Sequence, residues 1–134
     1  MFEIKFKIYH NGCWMQSLNK PFTSKFISHL TFSLDKGRTS DIVHVSNKNN
    51  NEFDNIIKFL KKHKTVKRLD LLYRDEKNLY LQIYTDVSKI NSVVGTIIKN
   101  KCFVSKPILI RESWEIWTII TPSKEKLPNL FEQL

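Results

Sequence analysis

IVHVSNKNNNEFDNIIKFLKKHKTVKRLDLLYRDEKNLYLQIYTD, residues 42–86, is the stretch on which the fold turns. Ile42 to Ser46 reads as a strand, and Asn47 to Asn51 punctuates it. Phe53, Ile56, Ile57 and Leu60 then fall at i, i+3, i+4 and i+7. That spacing makes the apolar stripe of an amphipathic helix, capped by the side-chain oxygen of Asn50 or Asn51. Lys58, Lys61, Lys62 and Lys64 crowd its C-terminal end, where cations interact favourably with the helix dipole. Two β-like runs follow, Val66 to Tyr73 and Leu79 to Thr85, joined by the polar hairpin tip Arg74-Asp75-Glu76-Lys77-Asn78. Asp86 starts a second helix, with Val87, Ile90, Val94, Ile97 and Ile98 on one face and Lys99, Asn100 and Lys101 closing it. A strand at about Phe103 to Arg111 completes a β-α-β-β-α-β order. This is the order of a ferredoxin-like unit, an antiparallel sheet with two helices on one face.

Outside that unit, Phe2, Ile4, Phe6 and Ile8 alternate with Glu3, Lys5, Lys7 and Tyr9 as a half-buried strand. A second strand covers about Lys25 to Leu34, and the two make an N-terminal β-hairpin around a loop of about fifteen residues, long enough to suggest a function. Asp35-Lys36-Gly37-Arg38 forms a turn. Trp114 to Thr121 is a strand after a short turn at Glu112-Ser113, and Pro122 and Ser123 open a last helix with Leu127, Leu130, Phe131 and Leu134 in register. This closing β-α pair is a C-terminal partial repeat lacking one strand. The expected fold class is therefore α+β, a single domain over residues 1–134, with further chain expected beyond residue 134.

The 134 residues suit one core, and 41% hydrophobic with 12% aromatic residues sets the chain apart from disordered compositions. The N-terminus alternates where a signal peptide has an apolar block, and no run reaches the length of a membrane span. A cytoplasmic protein is expected. Cys13 and Cys102 lack the paired spacing of a zinc site and read as free thiols, with a single bridge between them as the alternative. The net charge of +9 favours nucleic acid, anionic ligands or an acidic partner, although Lys-rich composition also has bland causes.

For catalysis the chain offers no GxSxG, no P-loop and no Gly-rich dinucleotide turn, its three glycines being isolated from one another. Glu112 and Glu115, or Asp75 and Glu76, read as solvated turn residues. A binding rather than catalytic protein is expected, with no cofactor and no metal. The first candidate site is His10-Asn11-Gly12-Cys13-Trp14, which sets imidazole, thiol and indole in a Gly turn directly after the first strand. His10, Cys13 and Trp14 would contact a small effector; the competing reading has Trp14 plugging the sheet edge. Trp114 and Trp117 lie on one strand and point to opposite faces. The densest positive cluster, Lys61, Lys62 and Lys64 with Lys67 and Arg68, is the first choice for phosphate contact or else a solvated helix end. Tyr80 and Tyr84 share one strand face, the arrangement on which RNA-recognition sheets stack bases, though without that motif's glycines.

The pentapeptide His10 to Trp14 after an N-terminal strand resembles the opening of N-terminal domains in archaeal transcriptional regulators of the bacterio-opsin activator-like type. The resemblance covers only those letters, and the rest in architecture. It implies a regulatory domain that senses a small-molecule effector or mediates homodimer formation, with DNA bound by a helix-turn-helix beyond residue 134. The alternative from the charge alone is a stand-alone basic nucleic-acid-binding protein.

Overall fold

A computed structural model describes residues 1–9, 14–18, 21–33, 38–49, 51–86, 93–111 and 114–134. Its strands are β1 (Phe2–Ile8), β2 (Lys25–Ser33), β3 (Arg38–Ser46), β4 (Val66–Arg74), β5 (Asn78–Asp86), β6 (Phe103–Arg111) and β7 (Trp114–Thr121). They form one sheet in the order β1-β7-β6-β2-β3-β5-β4. Every neighbouring pair is antiparallel. The helices are α1 (Trp14–Ser17), α2 (Phe53–Lys62), α3 (Val93–Lys99) and α4 (Leu127–Gln133), the last preceded by a 3₁₀ turn at Lys124–Lys126.

Strand alternation decides which side is buried. In β5, Leu79, Leu81, Ile83 and Thr85 are buried, while Asn78, Tyr80, Gln82 and Tyr84 between them are half-buried. Registered pairing carries that phase sideways: Leu79 lies beside Val45, Val45 beside Phe26, and Phe26 beside Ile110. Against this side, Trp14, Met15 and Leu18 join Phe53, Ile56 and Leu60 of α2 in a first core with Val43, Val45, Leu79, Leu81 and Ile83. Ile97 of α3 and Leu130 of α4 pack with Ile108, Trp117 and Ile119 in a second. Each fully buried Leu, Ile or Phe contributes about 1.5–3 kcal/mol of transfer free energy.

The ferredoxin-like expectation is corrected. β3, β5 and β4 do stand side by side, but β2 occupies the other side of β3 and shuts β6 out of that place. β6 pairs with β2 instead, through Phe26, Ile27 and Ser28. The N-terminal hairpin and the C-terminal partial repeat are corrected with it, because β1 pairs with β7 along its whole length and closes one edge of the sheet. Chain proximity favours β2 over β6 beside β3: β2 and β3 are separated only by residues 34–37, so their pairing closes a far shorter loop than one between β3 and β6.

Local details also differ. The stretch between β1 and β2, read as a loop, contains α1. Glu52 holds the N-cap of α2, in place of Asn50 or Asn51, and makes no side-chain cap bond there. Its carboxylate accepts hydrogen bonds from the amides and hydroxyls of Thr23 and Ser24 and from Asn47 Nδ2. Asp86 ends β5 and α3 begins at Val93; Val87 and Ile90 lie outside the described residues. At the far end Ser123 caps the 3₁₀ turn, its hydroxyl accepting from Glu125 N.

Candidate functional site

Among the described residues the helices pack against one face of the sheet, and the opposite face carries the chemistry. A single registered row crosses all seven strands there: Lys7, Ile116, Leu109, Ile27, His44, Tyr80 and Tyr73. Its centre is apolar and its β3-β5-β4 end aromatic. The His44 and Tyr80 rings stack in parallel at 4.4 Å between centroids, with His29 stacked 5.9 Å from His44 and Tyr73 meeting Tyr80 edge to face at 6.2 Å. His29 reaches this side because β2 shifts register between Ser28 and Leu30. His44 Nε2 donates to Asn78 Oδ1 at 2.8 Å, which fixes the ring across β3 and β5. Burial, with His44 and Lys106 adding to it, lowers the pKa of His29 and favours the neutral, stacking form.

Charge on this face is mostly positive. By register, Lys5, Lys7, Lys25, Arg38, Arg68 and Arg111 project from it, against Glu3, Asp70 and Asp86. Arg68 pairs with Asp70 at 3.1 Å and lies 5.2 Å from the centroid of the Tyr84 ring. Tyr9 and Trp114, 48% and 41% exposed, meet edge to face at 5.4 Å beside the β1-β7 edge.

The helix-covered face holds a second polar group, between the two cores. Ser28, Asp41 and Glu115 are buried there. Ser28 Oγ donates to Asp41 at 3.4 Å, and Trp117 Nε1 donates to Glu115 Oε1 at 3.1 Å. Glu115 Oε2 finds no hydrogen-bond partner among the described residues. Burial pushes the Glu115 carboxyl up to about 7, Asp41 adding to the shift and the Trp117 bond and Lys106 opposing it. Burial likewise pulls Lys106 down to about 8, against the attraction of Asp41 and Glu115.

The residues singled out in the sequence are scattered. Trp14 is 2% exposed and belongs to the first core. His10 and Cys13 lie outside the described residues. Cys102 is a buried free thiol. Lys61, Lys62 and Lys64 are exposed at the end of α2, whereas Lys67 and Arg68 on β4 line a hollow of about 360 Å³ with Arg38 and Tyr84. Trp117 is core and Trp114 exposed, as their opposite facing requires. Among the described residues no group of three His, Cys, Asp or Glu is placed to hold a metal ion, and no helix is long and apolar enough to cross a membrane.

Sequence reading missed His29, His44 and Arg38 on the open face, and the charges of buried Asp41 and half-buried Lys106; Glu115, read as a solvated turn residue, is instead buried on β7. A signal existed for two of them. Asp41 falls in phase with Val43 and Val45, and Glu115 in phase with Trp117 and Ile119, so each carboxylate sits where alternation calls for an apolar side chain.

Residues 3–134 match the family described as HVO_2525_N, N-terminal. The chain belongs to this family of archaeal N-terminal domains. No curated protein matches it. No solved structure matches it either. Membership therefore brings an archaeal domain type placed N-terminally, while the comparisons name no role in transcription and no ligand.

Proposed function

We propose that this chain is the regulatory N-terminal domain of an archaeal regulator, a non-catalytic binding module that works through the open face of its sheet. The observation that carries the reading is the one-sided packing: both cores lie under one face, while His29, His44, Tyr73 and Tyr80 form a ring cluster on the other. Polar and aromatic side chains held on rigid strands suit recognition. Family membership as an N-terminal domain supports a place ahead of another module. The assignment of that module to DNA binding rests on the resemblance of His10 to Trp14 to bacterio-opsin activator-like regulators.

The test is a thermal-shift screen of amino acids, nucleotides and divalent ions, followed by amide chemical-shift mapping with each hit. A ligand at about a hundred times its Kd adds roughly 2.7 kcal/mol to stability. Perturbations should fall on Ile27, His44, Tyr80 and Ile116 of the open face. Shifts confined to α2 and α3 would move the site off that face, and a chain that stays monomeric and answers no compound would sink the reading.

A further inference from the structure

The β3-β5-β4 half of the open face ends in a basic hollow at either end of its strands. Arg38, Lys67 and Arg68 line one of about 360 Å³, with Asp86 as the only carboxylate among its lining residues. Lys25, Lys48 and Lys77 line the other, of about 630 Å³, together with Ser46 and Asn78, while the neighbouring carboxylates of Glu52 and Asp75 are taken up by hydrogen bonds from Thr23, Asn47, Asn78 and the Lys77 amide. β3 runs from Arg38 in the first to Ser46 in the second, and its nine residues span about 26 Å. The ring cluster of His29, His44, Tyr80 and Tyr73 lies on this strip.

We propose that this strip binds single-stranded nucleic acid, its phosphates at the two lysine- and arginine-lined hollows and its bases on the rings between them. The inference rests on the open face being a binding surface, as read above, and names the occupant. Bases stack on aromatic and guanidinium planes whatever their sequence, and paired cations track the backbone between them. Tyr73, 54% exposed on the edge strand, leaves the outer end of the ring cluster open to a base, and Arg68 over Tyr84 offers a second plane. A span of about 26 Å takes roughly four nucleotides, the lower end of site sizes for single-strand-binding folds. Duplex fits less well, because its base faces are hidden. A second copy of this chain would bring Arg38, Arg68 and Lys25 against cations of the same sign.

The experiment is fluorescence anisotropy of the whole chain with labelled oligo(dT) and oligo(U) of about ten nucleotides, and with duplex of equal length, over a salt series. Both single strands should bind more tightly than duplex, and oligo(dU) beside oligo(U) tells deoxyribose from ribose. Tyr80→Ala should weaken binding about tenfold or more, and Tyr73→Ala, whose ring is 54% exposed on the edge strand, should weaken it at unchanged melting temperature. Arg38→Ala with Arg68→Ala should flatten the log-log salt slope by about 1.4, since each of the two phosphate contacts contributes about 0.7 for single strands. Lys61→Ala with Lys62→Ala on α2 should leave binding as it was. No binding at low salt overturns the proposal, as does duplex preference or binding lost with the α2 pair and kept in Tyr80→Ala. If sedimentation shows a dimer that Tyr80→Ala splits, the face belongs to a second copy: the nucleic-acid inference falls and the open-face reading stands.

Discussion

Glu115 illustrates what a single buried carboxylate does to this domain. Its folded pKa of about 7 lies above the ordinary value of 4.5, so between those values the folded state keeps a proton that the unfolded chain releases. Stability from this group is therefore full below pH 4.5, declines as pH rises through the window, and is flat above about 7. Denaturant titrations at the two ends of the window should differ by on the order of 3 kcal/mol more in the wild type than in Glu115→Gln. Equal pH slopes for the two proteins would show that Glu115 is not held protonated. The Lys106 shift acts at higher pH: a folded pKa of about 8 against 10.5 makes its cost present below 8 and relieved as pH climbs toward 10.5.

At the scale of elements, the α2 entrance depends on a tie that helix-capping rules do not describe. Glu52 gathers the amides and hydroxyls of Thr23 and Ser24, more than twenty positions away in sequence, onto the start of the helix. Glu52→Ala should cost about 1–3 kcal/mol, read by thermal or chemical unfolding, because several donors lose a charged acceptor at once. A change within experimental error would mean that water replaces the carboxylate without penalty. The helix itself was legible: Phe53, Ile56 and Leu60 are the buried members of the apolar stripe seen in the sequence. So were β4 to β7, whose alternation and turn residues give bounds within a residue or two of those observed. The Glu52 tie was not, since a contact across that separation leaves no periodic trace.

On the whole-molecule scale, the sheet has a seam. β2 and β6 meet through three residue pairs, whereas β1 with β7 has seven and β3 with β5 has nine. The second core lies on the β6 side of it and the first mainly on the β2 side, with only Ile110 of β6 reaching across into the first, and the polar residues Ser28, Asp41 and Glu115 lie near the boundary. Native-state hydrogen exchange should accordingly resolve two cooperative groups, β1-β7-β6 with α3 and α4, and β2-β3-β5-β4 with α2. A single protection class across all seven strands would show the seam to be as strong as the pairings beside it. The candidate site also exists only at this scale. Arg38, Tyr80 and Arg68 belong to three strands, and their own neighbourhoods in sequence look like ordinary polar strand positions.

What the amino-acid order determined alone is the seven strands, α2 and the buried side of the regular ones, because hydrophobic periodicity is a local property that each strand or helix expresses within its own length; the short α1 and the register shift in β2 leave no such periodic trace. It also carried the net positive charge. Which strands become neighbours was decided only in three dimensions. β2 and β6 compete for the same edge of β3, and the outcome depends on loop entropy and on shared burial summed over the whole sheet. That one choice turned an expected ferredoxin-like unit into a seven-stranded sheet and brought His29 of β2 beside His44 and Tyr80.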